Sequence, residues 1–137
     1  MLKEACVENF TNVPGVIERG AKRIELCDNL AVGGTTPSIG VIKITAEYCS
    51  DKDASIIVIL RPRGGDFVYS LMEKAIMMRD LEEIIASHAN GIAVGALTAV
   101  NDLDKPFLEE IAKLASDNGI ELVFHMAFDQ IPEVKQR

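Results

Sequence analysis

The sequence predicts an α/β protein built as part of a TIM (β/α)8 barrel: an incomplete barrel of about five parallel β/α units in a single domain over residues 1–137. Three observations lead there. Short apolar runs alternate along the chain with longer amphipathic ones, which is the pattern of parallel strands joined by right-handed helical crossovers. The turn after the first run, "ACVENFTNV", has no glycine, so the phosphate-binding turn of a doubly wound nucleotide fold is missing. Charged residues also recur in phase along the strands, as they would if one face of each strand turned into a barrel interior.

In chain order, "LKEACV" (2–7) is the first strand and "NVPGVIERG" (12–20) a short helix, with Pro14 in its first turn and Gly20 as its stop. "RIELC" (23–27) is the second strand. After the loop "DNLAVGGTTPS", a helix runs from about Ser38 to Cys49. The third strand, 56–61, is β-branched and apolar enough to be covered on both faces. It runs directly into "RPRGGDFVYS", where Ser70 and Glu73 stand at capping-box spacing for a helix reaching about His88. "GIAVGAL" (91–97) is the fourth strand. "DKPFLEEIAKLASDNG" (104–119) is a helix capped by Asp104 and ended by Gly119, and "IELVFH" (120–125) is the fifth strand.

Composition limits the function. The chain carries 14 Lys and Arg against 21 Asp and Glu, a net charge of −7, and its cations are scattered; this removes the basic footprint that nucleic acid or an anionic membrane surface requires. Lys3, Glu4 and Glu8 interrupt the apolar stretch a signal peptide would need, and no run approaches the roughly 18 apolar residues of a membrane span, so the reading is cytoplasmic. Three widely spaced cysteines, Cys6, Cys27 and Cys49, argue for reduced thiols over a disulfide framework.

Period-two alternation sorts the strand residues. Glu4 and Cys6 share one face of the first strand; Arg23, Glu25 and Cys27 share one face of the second; Ile57, Ile59 and Arg61 of the third; Glu121, Val123 and His125 of the fifth. If Ile24 and Leu26 pack under helices, these charged faces converge inside the barrel, where acids from the first two strands should neutralise Arg23 and Arg61. Cys6, Cys27, Arg61 and His125 then stand at the carboxyl ends of strands, where such barrels place their sites.

Two chemistries follow. Cys6 and Cys27, near the ends of adjacent strands with matching parity, are suited to hold Cu(I) between two soft thiolates, or else to pack as small apolar groups. Arg61 and Arg63 beside Gly64 and Gly65 are suited to a phosphate or carboxylate, with Arg61 alternatively serving as internal counter-charge to Glu4 or Glu25. With Glu25, and with His125 oriented by Asp129 for proton transfer, they compose a candidate catalytic set for an enzyme on a small anionic substrate. The His125 and Asp129 pair fits a structural hydrogen bond equally well. Unpaired edges at strands one and five predict self-association into a homo-oligomer.

The segments "EACVEN", "RIELCDNLAVGGTTPS", "ILRPRGGDFVYS", "GIAVGALT" and "FHMAFD" resemble, in order and spacing, the signature segments of the CutC family of copper homeostasis proteins. The resemblance implies a cytoplasmic TIM barrel associated with copper tolerance, Cu(I) as the bound ion, and Cys6 and Cys27 as its ligands. Any enzymatic activity of the family is unassigned. The resemblance covers the first five of eight barrel units. One departure is Met126, where the family commonly has arginine, which removes a positive charge beside His125 and Asp129.

Overall fold

The computed structural model describes residues 4–124. Five strands form one sheet: β1 (Glu4–Glu8), β2 (Arg23–Cys27), β3 (Ser55–Leu60), β4 (Gly91–Val94) and β5 (Glu121–Phe124). They alternate with α1 (Val13–Glu18), α2 (Ile39–Asp51), α3 (Leu71–Ala86) and α4 (Lys105–Asp117), and a 3-10 turn, Leu30–Val32, lies between β2 and α2. All pairings are parallel and the strand order is the chain order. Among the described residues β1 and β5 therefore have a strand neighbour on one side only.

The two faces of the sheet differ as alternation requires. Ile24, Leu26, Ile56, Val58, Leu60, Ile92 and Val94 pack against the apolar stripes of the helices, with Ile42, Met77, Leu81, Ile84 and Ile111 fully or almost fully buried. The opposite face carries a much smaller apolar cluster of Cys27, Ile57, Ile59 and Ala93, joined by Val123. With helices on one side alone, the bare face is free to curl into a concavity. Arg23 on β2 reaches both Glu4 on β1 (3.3 Å) and Glu121 on β5 (3.2 Å). In a flat sheet β2 and β5 would stand three inter-strand spacings apart, about 14 Å. The Arg23–Glu121 contact thus records barrel curvature directly.

Glycine at position 91 allows the curl. A Cβ there would approach Ile57 Cδ1 to 2.6 Å and the carbonyl oxygen of Glu121 to 2.8 Å, so β4 can sit close between its neighbours only without a side chain.

Element boundaries differ from the sequence expectation mainly at loops. β3 ends at Leu60, leaving Arg61 just beyond the strand. β4 stops at Val94 instead of continuing to residue 97, because the following backbone turns outward: Leu97 N–H donates to Phe67 and Ala96 accepts from Asp104. α3 stops at Ala86, short of His88. Its start is as expected, with the Ser70 side chain accepting from Glu73 N–H and the Glu73 side chain accepting from Ser70 N–H. Asp104 caps α4 by accepting from Phe107 N–H, and Lys74 of α3 reaches the same carboxylate at 2.7 Å, tying two helices at one cap.

The four described helices end alike. The second residue past each helix lies in the left-handed region: Gly20 (φ 100°), Asp53 (57°), His88 (64°) and Gly119 (69°). For α1, α2 and α4 the pairs Gly20→Ile17 with Ala21→Val16, Asp53→Ser50 with Ala54→Cys49, and Gly119→Ser116 with Ile120→Ala115 complete the two-bond Schellman closure. Glycine adopts this conformation freely, whereas a side chain is penalised there. His88→Gly is accordingly expected to raise unfolding free energy by about 0.5–1 kcal/mol in urea titrations. A neutral or destabilising result would mean that the His88 side chain makes an offsetting contribution.

Candidate functional site

Parallel register carries β1 and β2 side by side, with Cys6 level with Glu25 and Glu8 level with Cys27, so the two cysteines are diagonal neighbours on the concave face. The register brings their side chains close enough to influence one another. Cys27 is completely buried and its Sγ–H also lies 3.6 Å from the carbonyl oxygen of Val7. Cys6 is exposed at the strand edge. Burial pushes the Cys27 thiol up to about 12, and the neighbouring Cys6, Glu8 and Asp28 push the same way. The Cys6 thiol is also raised, chiefly by desolvation and further by Glu25, against the opposing pull of the Cys27 side chain. Both sulfurs thus carry protons at neutral pH. Beside Cys6 a cleft of about 480 Å³ opens between β1 and α1, lined among others by Glu8, Asn9, Asn12, Arg19 and Asp28. Cys49 is a packing residue in the helix-side core, and burial alone raises its thiol to about 11.

Arg61 requires correction. It was expected to meet Glu4 or Glu25, yet Glu4 pairs with Arg23 and no carboxylate reaches Arg61 among the described residues. Its Nη1 donates to the carbonyls of Val32 (2.6 Å) and Gly34 (3.1 Å), its Nη2 donates to Gly65 (2.8 Å), and its guanidinium stacks on the Phe67 ring at 4.7 Å. The cause is position: one residue past the strand, Arg61 lies among loop carbonyls that lack sheet partners, and these accept its charge. It is 2 % exposed, with Nε–H and the nearby Tyr69 hydroxyl lacking a well-aligned partner.

Arg63 is the more exposed of the two, but its donors are occupied as well. Nε and Nη2 form a bidentate pair with Glu73 (2.6 and 3.2 Å), and the remaining N–H groups reach the carbonyls of Gly64, Asp66 and Val68. Asp66 and the Tyr69 ring complete its surroundings. Gly64 and Gly65 turn their carbonyls toward the arginines instead of cradling an anion with their amides. In this structure the cluster expected to bind an anion turns all the donors of Arg63 and most of those of Arg61 to acceptors of its own loops and of Glu73, leaving Arg61 Nε–H without a partner. Glu25 stays on the concave face, half-buried and level with Cys6 and Ile57. His125 and Asp129, like Met126, lie outside the described residues.

What sequence reading missed is the cover over Cys27. Asp28 and Thr35 pair in a short antiparallel bridge (2.8 and 2.7 Å), closing the intervening residues into a loop. Gly34 (φ 95°) presses on the cysteine so closely that a Cβ would meet Cys27 Cβ at 3.2 Å and Sγ at 3.4 Å. "VGGTT" signalled a turn; nothing local signalled what the turn covers.

The Arg63 hydrogen bonds, with Ser70 N–H second, hold the Glu73 carboxyl down from 4.5 to about 2. A depressed carboxylate contributes stability that is complete above its unfolded value and is lost as pH falls through the folded one. The "RPRGG" loop should loosen between pH 4.5 and 2, and Glu73→Gln should flatten the dependence of melting temperature on pH in that window. An unchanged acid slope in the variant would show that Glu73 does not carry the effect.

The sequence profile of the CutC family matches residues 1–137. A CutC family protein of Enterococcus faecalis is 47% identical over 136 residues, covering 99% of this chain and 64% of that protein. One from Streptococcus pyogenes serotype M6 is 46% identical over 132 residues, covering 96% and 62%. The solved structure of CutC from Streptococcus agalactiae, a protein assigned by its name to copper homeostasis, superposes with a TM-score of 0.91 at 44% identity, over 99% of this chain and 64% of that one. The glycoside hydrolase domain of PelA from Pseudomonas aeruginosa shares the fold alone, with a TM-score of 0.54 at 11% identity. The chain thus spans slightly less than two thirds of the relatives it matches. With five parallel strands wound in chain order as part of a TIM-like barrel, and the family's sequence along its whole length, the chain belongs to the CutC family.

Proposed function

We propose that this chain serves copper homeostasis by binding Cu(I) between the thiolates of Cys6 and Cys27, as a cytoplasmic protein. The observation that carries the reading is the diagonal placement of two cysteines on adjacent strands near the carboxyl end of the sheet, the position where barrels hold their ligands. The donor set fits the ion. Thiolate sulfur is soft and favours Cu(I), and a two-sulfur site meets the low coordination number this ion accepts. Two sulfurs alone fall short of the four-donor shell a structural Zn(II) prefers, and among the described residues no group of three or more His, Cys, Asp or Glu side chains is placed to hold a metal. The name of the Streptococcus agalactiae relative, which assigns that protein to copper homeostasis, supports the same reading. No described helix is long and apolar enough to cross a membrane. An enzyme for small anions has weaker support, since the loop's own acceptors occupy most donors of Arg61 and all those of Arg63.

Binding must displace the thiol protons. Because both thiols are raised, the displaced protons are present throughout the neutral range. Affinity should therefore climb ~100-fold per pH unit from pH 6 to 8 if both protons leave, and ~10-fold if one does. Competition titrations with a Cu(I) chelator on the reduced protein measure this. Cys6→Ser and Cys27→Ser should each lower affinity by at least about a hundredfold, and retention of wild-type affinity in either variant would sink the proposal.

A further inference from the structure

Arg61 is a buried cation whose hydrogen bonds all go to loop carbonyls, and two of those carbonyls belong to the loop lying on Cys27. That loop is held at several further points. Glu8 Oε2 accepts from Leu30 N–H at 3.0 Å, and Gly64 abuts Val32 so tightly that a Cβ would stand 2.9 Å from Val32 Cβ. Thr36 Oγ1 accepts from Arg61 N–H at 2.9 Å and lies 2.9 Å from the carbonyl of Ile59, stitching the base of the loop to the end of β3. Arg61 Nη2 extends the connection to Gly65, so one guanidinium joins the β2–α2 loop to the β3–α3 loop. Beneath this cover Cys27 has no exposure, and its sulfur is approached by Gly34 on one side and by Cys6 on another.

We propose that Arg61 is a positioning and specificity-determining residue for the thiol pair: it latches residues 28–35 over Cys27, so that the cysteine is reached only past Cys6 and a metal on its sulfur meets further ligands only from the Cys6 side. The latch favours a soft ion content with two donors, Cu(I) or Ag(I), over Zn(II), which seeks four. Its metal consequence rests on the Cu(I) reading; its steric consequence does not. A cation serves here because a guanidinium spans several carbonyls at once from a fixed planar fork, which Lys does not.

The steric part is tested without metal. In the reduced protein, iodoacetamide labelling followed by peptide mapping should give a fast Cys6 and slow Cys27 and Cys49. Arg61→Leu removes the latch, and Gly64→Ala displaces Val32 while keeping the arginine. In both, Cys27 labelling should accelerate about tenfold or more while Cys49, buried under the helices, stays slow. Cys49 separates the alternatives: acceleration of Cys27 and Cys49 together means general loosening and overturns a specific latch, as does an unchanged Cys27 rate in variants of native circular dichroism. A measurement on the wild type needs no variant: the amides of Asp28 and Thr35 should exchange slowly with deuterium, and exchange at unprotected rates would overturn the closed loop. The metal part follows from competition between Ag(I) and Zn(II), whose affinity ratio should fall at least about tenfold in both variants. Cu(I) and Ag(I) binding with an unaltered ratio overturns the specificity claim alone. Loss of all metal binding in the wild type, with Cys27 labelling still accelerated in the variants, overturns the copper reading and leaves the latch standing.

Discussion

Positive charge drawn into the concave face or its rim has to be neutralised within a few ångströms, because isolated burial of a cation is too costly. Three arginines meet that demand in three ways. Arg23 bridges carboxylates from β1 and β5. Arg63 takes a bidentate carboxylate from the first turn of α3. Arg61, with no acid in reach among the described residues, gathers backbone carbonyls and an aromatic face. These solutions fix different parts of the molecule: the first the curvature of the sheet, the second the entry to α3, the third the relation between two loops. The thiol pair stands where the first and third meet, at the end of β2 between the interior and the loops.

The chemistry of the mouth follows from unequal exposure. Cys6 and Cys27 are neighbours, yet one is open and the other sealed, and the seal is a glycine. Burial, with acidic neighbours second, favours the protonated form of both thiols among the described residues. A catalytic cysteine of ordinary kind would need the reverse. A soft metal can displace the protons itself, which suits a site that binds without activating.

Features governed by short-range rules were legible in the sequence. Alternation along "RIELC" placed Arg23, Glu25 and Cys27 on the interior face and Ile24 and Leu26 under helices, and the structure has them there. Ser70 and Glu73 announced their capping box, and Gly20 and Gly119 their helix ends. The partners of Arg61 were not legible. Val32 and Gly34 lie 29 and 27 positions away, and carbonyl acceptors carry no side-chain signature, so the argument from charge supplied carboxylates instead. Arg63 is an instructive intermediate. Its partner Glu73 had been noticed for its capping role, and a single carboxylate does both jobs at once. Asp53 and His88 in left-handed conformations were illegible for another reason, since neither is a glycine and only tertiary placement shows that α2 ends at Asp51 and α3 at Ala86.

The repeated left-handed helix ends have a consequence for how the chain acquires its shape. Each unit closes its helix with a locally bonded turn and hands over at once to a strand that pairs with the strand just before it: Glu4 with Arg23, Arg23 with Ser55, Ile57 with Gly91, Gly91 with Glu121. No strand waits for a partner from a remote part of the described chain, so loop-closure entropy is met in similar short instalments. Assembly can then proceed as accretion, each new unit docking on an edge already formed and inheriting its curvature.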